Sequence, residues 1–299
     1  MLTPAGVEAK DVKTESMMDE RVLTAPAVLE GYDAVTALYP YVPPMSHWRA
    51  WEYAAYRNFE LDGRVLDLGC GDGRYFRLVW PHVGEVVGVE RDEGVADAGV
   101  RSGVYANVHV ANAHEVPEPD ASFDHVFANC SLEHMDHLDA VLAEVARCLK
   151  PGGALLCSVV TDRFLHWNLL PNLVAAAGHE DASRALTRDF FDFHHLVNPL
   201  SVQEWERRFE AAGMVCEVHV PLLPKINSGF FLAMDGLWHV RRAGSGELGD
   251  IIHPFLADNA AFPKGFKTVL AGLMEMEQDW SESSGAVFLV RKPMGSDRA

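Results

Sequence analysis

Apolar positions along the chain fall into two textures. Five short runs rich in Val, Leu and aromatic residues, Val65–Gly69, Glu85–Glu90, Val104–Ala111, Phe123–Cys130 and Ala154–Val160, read as strands buried on both faces. Between them lie stretches of helical period. In one of these, Leu138, Val141, Leu142, Val145 and Leu149 keep an i, i+3, i+4 spacing, and Pro151-Gly152-Gly153 is expected to stop that helix and turn the chain into the fifth strand. Strands alternating with helices predict βαβ units and a mainly parallel sheet with right-handed crossovers.

The flanks have a different pattern. Residues 1–20 have no clear period and are expected to be a loose arm. Residues 21–60 carry Tyr32, Tyr39, Trp48, Trp51 and Tyr56, interrupted by Pro40 and Pro43-Pro44, which suits short helices joined by a turn. Tyr32, Tyr39 and Trp48 have no place in a sheet, so this segment is expected to close over the site as a helical flap. Residues 161–200 are rich in aromatics and His without sheet periodicity. Ser201-Val-Gln-Glu204 is a capping box opening a helix that Gly213 ends, and Met214–Leu222 and Ala286–Arg291 read as two late strands. The sixty or so residues between those strands rule out a simple hairpin and predict a helical insertion. The expected organisation is therefore an arm and flap over 1–60 and a Rossmann-like core over 61–160. Beyond it come a covering insertion over 161–200, a helix and strand over 201–222, a helical insertion over 223–285 and a last strand with its tail over 286–299.

Composition narrows the partners. The 299 residues include 25 Lys plus Arg against 43 Asp plus Glu, a formal net charge of −18. Phosphate backbones and anionic membranes need a basic footprint, so neither nucleic acid nor a membrane surface is an expected partner. Cys70, Cys130, Cys148, Cys157 and Cys216 are scattered and form no C-x-x-C pair; small buried thiols in a reducing cytoplasm are expected. Met1–Glu20 has no basic region followed by an apolar one, so no secretory leader is expected, and no apolar run approaches a membrane span. A homo-oligomer is compatible with all of this.

The chemistry concentrates in Val65-Leu-Asp67-Leu-Gly69-Cys70-Gly71-Asp72-Gly73-Arg74. A strand feeding a glycine-rich turn and then a helix lets backbone approach a ligand and aims N–H groups at it. The dinucleotide fingerprint needs a small residue where this chain has Arg74, and no phosphate-cradling G-x-x-x-x-G-K-[S/T] occurs. What remains is Asp67 inside the strand, suited to positive charge or donors and unsuited to a pyrophosphate. Glu90, 19 residues after Gly71, ends the second strand, where a carboxylate can accept from both ribose hydroxyls. Together these describe a nucleoside site with no phosphate requirement.

These residues carry a resemblance. Asp67-Leu-Gly-Cys-Gly-Asp-Gly73, Val87-Gly-Val-Glu90, Ser131-Leu-Glu-His134 and Arg147-Cys-Leu-Lys-Pro-Gly-Gly153 resemble the class I S-adenosylmethionine-dependent methyltransferases, in particular their small-molecule branch, over about residues 60–222 and the last strand. The resemblance implies a seven-stranded sheet with its last strand antiparallel and S-adenosylmethionine as cofactor. It implies that Asp67, Gly69, Cys70, Gly71 and Gly73 hold the methionine moiety, that Glu90, beside Arg91, holds the ribose, and that Asn112 and Ala113 lie against adenine. Asn129 would flank the sulfonium, and Tyr39 would cover the cofactor from the flap. The family usually has an acid where this chain has Asn112, whose amide oxygen can still accept from the adenine amine.

The acceptor side is open to more than one reading. His134 follows the fourth strand and reads either as a general base or as a residue orienting the next helix. His194-His195 reads as a pocket or base position, or as a structural pair. Geometry fixed by a sheet ranks His134 first. Glu133-His134-Met-Asp-His137 lacks the spacing and companions of a metal site, and no metal is expected. The aromatic segments near Trp48 and Phe230 suit core packing or an apolar acceptor pocket. The expected reaction is transfer of methyl to an O, N or C nucleophile of a small organic acceptor. A protein or peptide side chain, or cofactor binding without turnover, are the alternatives.

Overall fold

A computed structural model describes residues 18–295. Eight strands form one sheet: β1 (Asp19–Glu20), β2 (Arg64–Leu68), β3 (Glu85–Glu90), β4 (Asn107–Val110), β5 (Phe123–Asn129), β6 (Leu149–Val160), β7 (Val215–Leu222) and β8 (Gly285–Arg291). Their order is β1-β7-β8-β6-β5-β2-β3-β4, with β8 antiparallel to both neighbours and every other pair parallel. The expectation of seven strands is corrected by one: Asp19 and Glu20 add a two-residue edge to β7. The rest of the expected arm lies outside the described residues. Sheet order reverses between β2 and β5, which opens a crevice at the strands' carboxyl ends.

Alternation along each strand divides the core. Val65, Val86 and Phe127 face one layer, while Leu66, Leu68, Val87, Val126 and Ala128 face the other. The second layer is covered by α5 (Leu138–Cys148) and α9 (Val202–Ala211), the latter opened by the expected capping box, whereas α4 (Glu93–Ser102) sets Gly99 against the Gly71 carbonyl and the Tyr105 ring on the first-layer side. The first layer is covered by α1 (Ala25–Val35), α2 (Pro43–Tyr56) and α3 (Arg74–Val79), together with the insertion helices α10 (Lys225–Trp238) and α12 (Phe262–Met276). The segment 161–200 forms α6 (Arg163–His166), α7 (Leu169–Ala176) and α8 (Glu180–His194), and α11 (Gly249–Ala257) completes the second insertion.

Two expectations need correction. The N-terminal helices, expected as a flap over the site, are built into the core as well. Tyr32 is buried, packs on Phe266 and donates its hydroxyl to the Pro263 carbonyl at 3.0 Å, and Trp51 and Tyr56 of α2 are wholly buried. An apolar sheet face must be covered, and these two helices cover it. Pro151-Gly152-Gly153 does not stop a helix. α5 ends at Cys148, and the three residues lie near the start of β6, where the pairing register with β5 shifts between Phe123 and His125. Gly152, at φ 81°, donates to the Lys292 carbonyl there, so the glycines make a bulge.

Candidate active site

The glycine turn closes the end of β2. Amides of Gly69 and Cys70 both donate to the Val89 carbonyl, at 2.8 and 3.1 Å, and that of Gly71 donates to Glu90 Oε2 at 3.3 Å. The expected N–H groups aimed at a ligand are thus spent within the fold, and they tie the turn to the end of β3. Glu90 also accepts from the amides of Arg91 (2.9 Å) and Asp92 (3.2 Å), which fix its carboxylate at the strand end with lone pairs to spare. Gly71 sits at φ 55°, and a Cβ there would meet no heavy atom within 4 Å, so open space remains where a ligand would run along the turn.

A cavity of about 580 Å³ follows the strand ends, walled by Gly69, Glu90, Arg91, Asn112, Ala113, Ser131, His134 and His195. The structure therefore brings together most of the expected nucleoside contacts. Asp67, Cys70, Gly71, Gly73, Asn129 and Tyr39 are not on this wall. The buried Asp67 carboxylate accepts from Tyr105 at 2.7 Å, and burial, opposed by that bond and reinforced by Glu90, pushes it up to about 7. Tyr105 also donates to the Cys70 carbonyl, and a Cβ on Gly73 would strike its ring. Asp67 and Tyr105 are thus the scaffold behind the turn. Asn129 accepts from Tyr56 at 2.9 Å behind β5, with the Ser158 hydroxyl 3.2 Å away, leaving Cys130, in left-handed backbone at φ 45°, at the wall. Tyr39 ends the turn after α1, half-buried, and faces the charges of Arg49, Asp72 and Arg74 beside the glycine turn.

A second cavity, about 420 Å³, adjoins the first at Cys130 and His134. Trp48 of α2, Phe164, Phe193 and Leu196 of the first insertion, and Phe231 and Trp238 of α10 enclose it. Its polar groups are Arg49, Glu133, His134, His194, Asp235 and His239. The insertion reaches this place because its end is stitched to the turn after β5. Val197 and Asn198 amides donate to the Glu133 carbonyl, and the Asn198 side chain donates to the carbonyls of Leu132 and Met135. That stitch brings His194 and His195 to the site. His195 is exposed, lies on the first cavity, and its carbonyl accepts from His134 Nδ1 at 3.2 Å. A carbonyl only accepts, so His134 carries its proton on Nδ1 and leaves Nε2 free, 3.9 Å from Glu133.

The electrostatics of the second cavity come mostly from residues that sequence patterns do not single out. Buried Glu52 accepts from Arg49 (2.5 Å), Ser158 (2.6 Å) and the Cys130 thiol (2.9 Å), which in turn accepts from Trp48 Nε1 at 3.1 Å. Burial, reinforced by Glu52, pushes the Cys130 thiol well up and keeps it protonated. Arg49 Nε and Glu133 Oε2 are buried without a hydrogen-bond partner, which at a cavity wall is the condition a ligand's polar atoms relieve. Burial pushes the Glu133 carboxyl up to about 8 and holds His134 below its ordinary value. Asp235 accepts from His194 Nε2 at 2.8 Å. Burial opposes its ionisation, but bonds from His194 and His239 outweigh it and hold the carboxyl below its usual range. Among the described residues, no group of three or more His, Cys, Asp or Glu is placed to hold a metal ion.

An open doubly wound sheet of this order, with a nucleoside-sized cavity at its carboxyl ends and a walled pocket beside it, defines the class I methyltransferase fold. Residues 66–157 match the family model of the methyltransferase domain. The chain is 28% identical over 172 residues to a demethylmenaquinone methyltransferase of Symbiobacterium thermophilum, covering 54% of this chain and 64% of that one. It is 30% identical over 155 residues to a ubiquinone biosynthesis O-methyltransferase of Agrobacterium fabrum, covering 50% and 59%. The matched part thus spans about three-fifths of the length of these curated relatives. A solved S-adenosylmethionine-dependent methyltransferase of Thermotoga maritima shares the fold, with a TM-score of 0.51 at 18% identity over 88% of this chain and 96% of that one.

Proposed function

We propose that the chain is an S-adenosylmethionine-dependent methyltransferase acting on a small organic acceptor. The observation that carries this reading is the junction of the two cavities at Cys130 and His134. One cavity has the turn and carboxylate that suit a nucleoside, the other has walls that suit an apolar molecule, and their meeting point is where a methyl group would cross. Bound there, S-adenosylmethionine supplies a methyl group already activated on a sulfonium. Glu90 would take the ribose hydroxyls, Asn112 and Ala113 the adenine, and the Gly69–Gly73 turn the methionine chain.

The residues around the junction position the acceptor and exclude water, which is most of what an activated donor requires. A proton released by the acceptor has three imidazoles to go to, His134, His194 and His239, all on the acceptor cavity. Aromatic walls drawn from α2 and the two insertions support a small apolar molecule over a protein side chain. The net charge of −18 supports the same partner over nucleic acid or membrane, and among the described residues no helix is long and apolar enough to cross a membrane. Five free thiols support a cytoplasmic location. Incubation with methyl-labelled S-adenosylmethionine and a small-metabolite extract tests the reading. A labelled small product is expected; labelled protein, or binding without any transfer, would replace it with one of the two alternatives.

A further inference from the structure

A third cavity, of about 390 Å³, lies between the first insertion and α10. It shares the side chains of Phe193, His194 and His239 with the acceptor cavity, so the two meet at one partition. In that partition the Phe193 ring stacks on His239 at 3.9 Å, and Phe193 stays more than a third exposed. Leu170 and Pro171 of α7, Leu186 and Phe190 of α8, and Val240 just after α10 make the remaining walls apolar. Asp189, Asp192 and Arg241 stand exposed at the edge.

Two residues of this cavity are costly to the fold as it stands. Asn168 immediately precedes α7, where a side-chain oxygen ordinarily accepts from the amides of the helix's first turn. It makes no such bond. Its side chain has no hydrogen-bond partner among the described residues, although the residue is only 8% exposed and lines the cavity. A buried amide that has lost water and found no partner destabilises the fold until a ligand supplies one. Gly236 lies inside α10, where glycine is a much poorer helix former than alanine. A Cβ there would meet only Leu170 Cδ2, at 3.9 Å, which is an ordinary contact, so packing does not require the glycine. Its missing side chain widens the cavity instead.

We propose that this cavity is a second compartment of the acceptor site, and that the methyl acceptor is a two-part molecule. Its apolar head lies against Trp48, Phe164 and Phe231, and its distal part, rich in hydrogen-bond donors as a sugar or amino sugar is, lies beyond Phe193 against Asn168. This names the acceptor of the methyltransferase reading and rests on it. A cavity of roughly 150 Å³ is enough for a benzene ring. The acceptor cavity, at about 420 Å³, therefore takes a head of two fused rings, and the third, at about 390 Å³, has room for a second unit of similar size. Asn168 Oδ1 and the carboxylates of Asp189 and Asp192 all accept hydrogen bonds, and neither carboxylate pairs with a cation among the described residues. Arg241 is the one guanidinium against them. That balance selects hydroxyls and amines over carboxylates and phosphates. Phe190 and Phe193 give the carbon face of a sugar ring an apolar wall. Phe193 sits in the last turn of α8, and turning its ring off His239 joins the two compartments.

Three compounds test this by calorimetry on the full chain: 2,6-dihydroxynaphthalene, its mono-β-glucoside and its mono-β-glucosaminide. Both glycosides should bind roughly 10- to 100-fold tighter than the parent diol, as a few added hydrogen bonds provide. Asn168→Leu and Gly236→Leu should each bring the glycosides to within about threefold of the diol and leave the diol unchanged. Asp189→Asn with Asp192→Asn should weaken the glucosaminide more than the glucoside if the distal part is an amine, and both alike if it is a hydroxyl compound. Asn168→Leu and Gly236→Ala should melt no lower than the parent, since neither removes a contact; a marked fall would assign these residues to the fold and overturn the proposal. Equal affinity for the diol and its glycosides, including no measurable binding of any of them, would also overturn it. So would glycoside binding that survives both Asn168→Leu and Gly236→Leu. Calorimetric binding of S-adenosylmethionine tests the underlying reading separately, because Asn168, Asp189, Asp192 and Gly236 do not line the nucleoside cavity.

Discussion

Replacing Glu90 with Ala probes the proposed nucleoside cavity at its best-defined atom. The carboxylate is held at the end of β3 by three backbone amides, Gly71, Arg91 and Asp92, at 2.9 to 3.3 Å, and it still lines the cavity. A ribose there would place two hydroxyls against it. Hydrogen bonds to a charged group contribute about 1.5–3 kcal/mol, so losing the acceptor should weaken S-adenosylmethionine roughly 10- to 150-fold. Glu90→Gln keeps one acceptor oxygen and should lose less. Isothermal calorimetry with S-adenosylmethionine and S-adenosylhomocysteine reads both variants. The amides freed at the turn are near water, so the thermal midpoint should fall only slightly, and a melt run beside the titration separates lost contacts from a collapsed turn. An unchanged dissociation constant in a folded Glu90→Ala protein would refute the ribose assignment and the reasoning built on this cavity.

His134→Ala should leave cofactor affinity intact and cost tenfold or less in kcat, with the pH profile unchanged, because no anion is placed to stabilise a charged His134; a loss of 10²–10⁴-fold with a changed profile would return the base role to it. Burial raises the Glu133 carboxyl from 4.5 to about 8, so the folded state holds this proton more tightly than the unfolded chain. The stability cost is absent below about 4.5, grows as pH rises and is complete above about 8. Glu133→Gln should therefore match the parent's melting temperature near pH 4 and exceed it near pH 9, by about 2–4 °C for each kcal/mol relieved; an offset independent of pH would count against a buried neutral carboxyl. Deleting residues 1–50 removes Val28, Tyr32, Val35 and Trp48, each worth about 1.5–3 kcal/mol on burial and together comparable to a whole domain's stability of about 5–15 kcal/mol. The truncated chain should show no cooperative melt by circular dichroism, and a cooperative one would restore the picture of a detachable flap.

The sequence determined the sheet and the nucleoside side. Parallel strands buried on both faces must be nearly continuous apolar runs, and the turn and carboxylate of that side lie on one βαβ unit, so Gly69 and Glu90 could be read from local pattern, while Asn112 and Ala113 came only from the family resemblance. The i, i+3, i+4 helix before β6 and the capping box before α9 are local for the same reason. Only the tertiary structure decided the acceptor side. Arg49 and Glu52 are ordinary residues of an amphipathic helix until α2 lays them against Cys130, and Glu133, visible in the Ser131–His134 motif, becomes a buried carboxyl only in the company of Glu52, Arg49 and Cys130. Asp235 and His239 have a visible spacing on α10, but nothing in that spacing names His194, which lies 41 residues away and arrives through the Asn198 stitch. A side chain's burial and its charge partner are set by elements distant in sequence, and those two quantities decide which imidazole can accept a proton.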